Sequence, residues 1–399
     1  MRSLMTRRSF VLTTTAAFAA QAQRNPGLLY ISDSEADRMR GAAVGSRADV
    51  LARNAERALS TGPWSVTYSR PKGLNVDADL NDYVSEGPYW WPDPKDPRAP
   101  YIRKDGQRNP ERFMGNRSAL GEMCSAVLAL GMGAFLLKKP QCAERANKVL
   151  SVWFVDSKTR MNPNLQHGQM VRGHNDGRGT GIIDTVSMIH TAQGVVLLEA
   201  AGGLDPSVAA AVRQWFADYL KWMTTSRNGL AEKVSGNNHA TWWTAQAATY
   251  AGFTGDAGAM EMTWEHCRTY LVPTEIRPDG SCPREEGRTN SLGYSSMNLD
   301  AFATLCRLAQ RNGVDLWHFH TAEGIGVDRS FRYLVPYMLH PETWKKQQIG
   351  RYNPDGYIFP GLAGIGLPSP DLVAAYKELP RSDSPWVQFI DLLVKNGNG

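Results

Sequence analysis

Residues 118–138 read SALGEMCSAVLALGMGAFLLK, with one acid, one base at the far end, and apolar or small side chains almost everywhere else. Apolar residues recur there at three- and four-residue steps, which predicts a long helix buried over most of its surface. Working outward, the same period recurs over 140–155, 183–201, 206–225, 239–252, 257–270, 297–312, 329–339, 370–379 and 385–395, and earlier over 34–59. Gly, Pro, Asn or Asp punctuate the breaks, and long β-type alternation is hard to find. Successive helix pairs with little sheet predict an all-α fold, an α/α array.

Two stretches break the helical rule. Residues 81–111 (NDYVSEGPYWWPDPKDPRAPYIRKDGQRNPE) hold too many prolines for a helix and too many aromatics for disorder. A loop of that length inside a domain is usually functional, and its neighbours leave Tyr89, Trp90 and Trp91 exposed. Residues 275–296 (EIRPDGSCPREEGRTNSLGYSS) form a second polar excursion between helices.

Composition narrows the classes. The 399 residues are 42% hydrophobic, 21% charged and 10% aromatic, which is globular, and no window reaches the roughly 18 uninterrupted apolar residues of a membrane span. Twelve Trp is a high load that fits flat apolar faces for a ligand. The formal charge of +5 includes Arg2, Arg7 and Arg8 of the first 22 residues, which contain no acid, so about +2 remains for the rest. Nucleic acid therefore gains no support from charge. Residues 1–22 pair Arg7-Arg8 with a short, weakly apolar run and Ala20-Gln21-Ala22. They are expected to be an export signal of twin-arginine type, which places the protein in the periplasm or outside the cell. Residues 23–399 are expected to form one domain. Five Cys without a CxxC spacing predict mainly free thiols and no Cys-based zinc site. His318-x-His320 and the acids Asp93, Asp96 and Asp105 match no familiar metal-ligand spacing, so no metal and no cofactor are expected.

Two constellations can carry chemistry. Ser235-Gly236-Asn237-Asn238-His239 precedes an apolar helix, bringing amides, an imidazole and free backbone N–H groups together where a carboxylate would be welcome. The bland alternative makes Asn237 an N-cap and His239 a surface residue. Downstream, Arg288 and Tyr294 lie six residues apart in a Gly/Ser/Asn-rich loop, close enough to converge, with Arg favouring phenolate. The alternative is a charged loop with a packing Tyr. Glu232 either shares a substrate carboxylate or is a solvated helix charge. Gln166, His174 and Arg178 stand in a polar, Gly-rich link that would line a cleft. Trp90 and Trp91 would stack on sugar faces, with one of the pair expected in the core, and one of Trp242 and Trp243 should face inward.

An Asn-His pair at a helix start, followed well downstream by an Arg and then a Tyr, resembles the alginate lyase superfamily, which includes the mannuronate lyases of polysaccharide lyase family 5. GPYWWPDP (87–94), PYIRKDG (100–106), SGNNHATWW (235–243) and REEGRTNSLGYSSMNLDA (284–301) make the chain most similar to polysaccharide lyase family 38, whose members act on alginate or glucuronan. The likeness runs from about residue 82 to 348. It implies an incomplete (α/α) toroid around a tunnel or cleft, an anionic polysaccharide as partner, and β-elimination leaving 4,5-unsaturated ends. It also implies that Asn238 and His239 hold the sugar carboxylate while Arg288 stabilises charge and keeps Tyr294 partly ionised. Tyr294 then abstracts the C5 proton of mannuronate or glucuronate and protonates O4, whereas on guluronate His239 is the base. The rival readings are a glycoside hydrolase using two of Glu86, Asp184, Glu285 and Glu286, and a non-catalytic glycan-binding protein.

Overall fold

The computed structural model describes residues 27–71, 77–96 and 98–395. The expected export signal lies outside them. In chain order the helices are α1 (Asp33–Ala42), α2 (Ser46–Ser60), α3 (Gly115–Phe135), α4 (Pro140–Leu150), α5 (Met188–Ala200), α6 (Pro206–Thr225), α7 (Arg227–Lys233) and α8 (Asn238–Thr254). They continue with α9 (Ala257–His266), α10 (Val272–Glu275), α11 (Pro283–Glu286), α12 (Ser291–Arg311), α13 (Val327–Leu339), α14 (Phe359–Gly366), α15 (Pro370–Glu378) and α16 (Pro385–Lys395).

The fold is all-α, the α/α toroid. Helices α3, α5, α8, α12 and α14 touch in succession as an inner layer, with α2, α4, α6, α9, α13 and α15 packed on their outer sides. The C-terminal α16 lies against both α14 and α3. Inner helices touch protein on nearly every side, which is why their sequences are apolar all round rather than striped. Gly115–Phe135 and Gly179–Ala200 are each long and apolar enough for a bilayer, yet 67% and 78% of those stretches are buried, as core helices are. Close approach of α3 to α5 depends on two glycines: a Cβ on Gly131 would lie 2.6 Å from the Gly194 carbonyl oxygen, and one on Gly194 would lie 2.8 Å from that of Val127.

Several expected boundaries move, two of them with consequences. Residues 34–59 are not one helix but α1 and α2, parted at Gly45, whose φ of +57° takes the chain into the left-handed region. The helix expected over 297–312 starts at Ser291, so Tyr294 sits in the first turn of α12 rather than in a loop. All five cysteines are free and buried.

The Pro-rich segment is folded, not helical. Its β1 (Val84–Glu86) pairs in parallel with β4 (His167–Met170), while β2 (Trp90–Trp91) and β3 (Ile102–Arg103) form a small antiparallel ladder. Asn109 ties the segment together: its N–H donates to the Pro88 carbonyl at 2.8 Å and its Nδ2 to that of Trp90 at 3.0 Å.

Candidate active site

The start of α8 is built by backbone constraints before any chemistry. Gly236 turns with φ +68°, and the Arg284 guanidinium donates to the carbonyls of Ser235 and Gly236 at 3.1 and 3.2 Å. Asn237 then caps the helix, its Oδ1 accepting the His239 N–H at 3.1 Å, so the capping alternative holds for this residue. His239 is no bland surface residue. Its Nδ1 lies 2.5 Å from Oε1 of Glu232, which α7 buries against it. Burial works against charge on this imidazole, but the Glu232 carboxylate outweighs it, so His239 titrates above its ordinary value. Glu232 is thereby no solvated helix charge.

Asn238 is buried and bonded to Glu285 of α11. Its backbone N–H donates to Oε1 at 2.6 Å and its Nδ2 reaches Oε1 and Oε2 at 2.9 and 2.8 Å, while its Oδ1 has no hydrogen-bond partner. The amide hydrogens expected to meet a substrate carboxylate are thus already taken by a protein carboxylate. Burial pushes Glu285 upward against the pull of those bonds and of Arg288.

From the same loop, Arg288 lies over the Tyr294 ring, 3.8 Å from its centroid. Its Nε and Nη2 donate to the two oxygens of Asp105 at 3.1 and 2.9 Å. Burial opposes the charge on Asp105, but the bonds from Arg288 and Thr289 prevail and hold its carboxyl at about 2. The Tyr294 hydroxyl bonds to that of Tyr89, so the Pro-rich segment reaches over the site at both Asp105 and Tyr89. This corrects the expectation of a partly ionised Tyr294. Burial, then the Tyr89 hydroxyl, raises its pKa, and Arg288 pulls the other way without prevailing because Asp105 already neutralises it. In the substrate-free protein Tyr294 is a neutral phenol.

The two constellations meet. Glu285 bonds Asn238, accepts the Arg288 N–H through its backbone carbonyl at 3.1 Å, and senses the charges of both Arg288 and His239. Arg178 belongs here too, since it senses the charge of Glu232, donates to the Gln169 carbonyl and Oε1 at 3.0 Å each, and lies over the Trp90 ring at 5.8 Å. Gln169 holds a strained φ of +48° and passes the chain of bonds on through Nε2 to the buried Asp184. Asp184 also accepts from Tyr83, Ser85 and Arg117, which knits β1, α3 and β4 into one support.

Other expected contacts are less central. Gln166 and His174 are exposed, His174 bonding the Tyr101 carbonyl at 2.8 Å. Tyr89, Trp90 and Trp91 are half-buried rather than exposed, and Trp91 donates to the Gln107 carbonyl at 2.9 Å beneath Lys104. Trp242 and Trp243 are both buried, because α8 is enclosed on every side. The acids of a hydrolase are all engaged: Glu86 with Arg172 at 2.6 Å, Glu286 with Lys346 at 3.4 Å, Asp184 and Glu285 as above. Sequence reasoning missed Asp105 as the partner of Arg288 and Glu285 as that of Asn238. Both acids stood inside the motifs, but nothing in their spacing named the partner.

Behind the site, Glu275 accepts from Thr241 at 2.8 Å and from Asn298 Nδ2 at 3.1 Å, leaving its own Oε1 and Asn298 Oδ1 without partners. Burial pushes this carboxyl up to about 8. A proton on Glu275 supplies the missing donor. An acid raised on folding loses stability as pH climbs from its unfolded value near ~4.3 through about 8. Glu275→Gln is therefore expected to gain in melting temperature over the parent as pH rises towards 9. A parent that gains on the variant over that range would contradict a protonated Glu275.

Comparison with known proteins follows the same lines. The alginate lyase family model matches residues 69–344. A crystal structure of an alginate lyase from Bacteroides ovatus is 31% identical, with a TM-score of 0.84 over 90% of this chain and 98% of that one. An alginate lyase A1-III variant complexed with tetrasaccharide has a TM-score of 0.62 at 15% identity, over 92% of this chain and 95% of that one, which bears on the fold alone. The A1-III structure from Sphingomonas species A1 gives 0.51 at 14% identity, over 78% and 84%. Among curated protein sequences none matches. The match over most of the chain and the likeness to the Bacteroides ovatus enzyme show that this chain belongs to the alginate lyase family and is a polysaccharide lyase.

Proposed function

We propose that this lyase cleaves a 1,4-linked polyuronate, alginate first and glucuronan as the alternative backbone, by β-elimination to 4,5-unsaturated ends. The observation that carries the reading is the meeting of His239–Glu232 and Arg288–Tyr294 around Glu285. The C5 hydrogen of a uronate is poorly acidic while the adjacent carboxylate is charged, so neutralising that carboxylate is the main electrostatic task. His239, held towards its charged form by Glu232, and Arg288 supply the positive charge. Asn238 joins them when Glu285 carries a proton, because the acid O–H then donates to the orphaned Oδ1 and the amide hydrogens turn to the substrate.

Proton transfer follows from stereochemistry. Where C5–H and O4 lie on opposite faces, as in guluronate, the neutral fraction of His239, its Nδ1–H donated to Glu232, takes the proton on Nε2. Arg288 and Asn238 are then left to offset the sugar carboxylate, and the neutral Tyr294 donates to O4. Where they share a face, as in mannuronate and glucuronate, Tyr294 serves both steps. That route needs Arg288 released from Asp105, so that its charge draws the phenol down.

A polysaccharide panel read by ultraviolet absorbance tests the reading: alginate, polymannuronate or glucuronan is expected to give absorbing ends and neutral glucans none. Release of reducing ends without absorbance would make the enzyme a hydrolase. Export belongs to the same reading. Arg7→Lys with Arg8→Lys is expected to retain the enzyme in the cytoplasm, and unchanged export would remove the twin-arginine assignment.

A further inference from the structure

Beside Tyr89 lies a cavity of about 210 Å³, lined among others by Trp90, Tyr101, Arg112 and Glu111. Arg112 is a half-buried cation without an ion-pair partner among the described residues, its Nη1 bonded to the neutral Asn109 carbonyl at 2.6 Å. Burial disfavours its charge, and so do the charges of Arg108 and Arg117 nearby. The carboxylate that offsets this cluster is Asp184, already bonded to Arg117 at 2.7 Å and to three other donors. Of the acids lining the cavity, Glu86 is satisfied by Arg172 and by the Phe113 N–H, both at 2.6 Å, and Glu111 is exposed to water. A crowded guanidinium in a polar cavity with two aromatic rings fits a small anion that also presents an apolar face.

We propose that this cavity is a second sugar subsite, in which Arg112 holds the carboxylate of the uronate next to the one being cleaved and Trp90 meets its ring. The proposal rests on the polyuronate reading above. Three features support it. The volume suits one sugar ring rather than a stretch of chain. Arg112, which lines the cavity, is near enough to interact electrostatically with Tyr89, whose hydroxyl bonds Tyr294, so the cavity adjoins the reacting position. With an overall charge this modest, attraction for a polyanion has to come from local clusters of this kind.

The test is Arg112→Gln in the full-length enzyme, a change that keeps a donor for the Asn109 carbonyl. KM on long polyuronate is expected to rise about 10-fold and to lose part of its salt dependence, while kcat stays within about two-fold. The shortest cleavable oligomer, too short to fill both positions, is expected to be unaffected, and Arg112→Lys to recover part of the loss. An unchanged KM on the polymer, or an equal loss on short and long substrates, would overturn the subsite. If the parent cleaves no polyuronate, the lyase reading fails by itself. Calorimetric binding of saturated oligouronates then decides this proposal: equal affinity of parent and Arg112→Gln overturns it, and weaker binding by the variant, absent for methyl-esterified oligomers, supports it.

Discussion

Tyr294→Phe is expected to lower kcat on polyuronate by about 10³–10⁴-fold, read as loss of the ultraviolet rise from unsaturated ends. In the proposed mechanism the phenol donates the proton to O4 in either stereochemical route, and the hydroxyl bonded to it is that of Tyr89. The substitution removes a single oxygen whose bond is to Tyr89. The ring stays available beneath Arg288 at 3.8 Å, and the site keeps its Arg288–Asp105 pair. Melting temperature should therefore stay close to that of the parent. Near-normal turnover would remove Tyr294 from the mechanism, and loss of folding would show instead that the Tyr89 bond is structural.

The second large effect is at His239. His239→Ala is expected to lower kcat by about 10²–10³-fold, since in the proposed mechanism the imidazolium offsets the sugar carboxylate on mannuronate or glucuronate and the neutral imidazole is the base on guluronate. Glu232→Gln separates these contributions. It keeps a hydrogen-bonding group at the 2.5 Å contact but deletes the charge that favours the imidazolium. His239 should then titrate at lower pH, and the limb of the kcat/KM profile that belongs to it should move the same way. NMR titration of the ring gives the shift without reference to turnover. A limb that stays in place or moves upward would dissolve the Glu232–His239 pair as a working unit.

Much of the architecture was legible in the chain. Residues 118–138 announced a buried helix because helical period and near-continuous apolarity are both local properties. The Pro-rich segment announced itself as ordered loop through its aromatics. Boundaries were less legible where one backbone angle decided them, as at Gly45, or where tertiary bonds extended a helix into polar sequence. The early start of α12 is of the latter kind: Ser291 N–H is anchored to the Gln347 carbonyl at 3.1 Å. Of the site, His239, Arg288 and Tyr294 were nameable from motif and residue type. Asp105 and Glu285 were not, since an acid's partner depends on which distant loop comes to rest beside it.

By itself, then, the sequence determined the all-α class, the two irregular segments and the side chains able to do the chemistry, because helix period, proline and titratable groups act within a few residues. Only the tertiary structure decided their ionisation and pairing. Burial keeps Tyr294 neutral although an arginine lies on its ring, Asp105 takes up the charge of Arg288, and Glu232 raises the pKa of His239 against the burial that would lower it. Those outcomes depend on desolvation and on Coulomb terms between residues far apart in the chain, which exist only once the helices have packed.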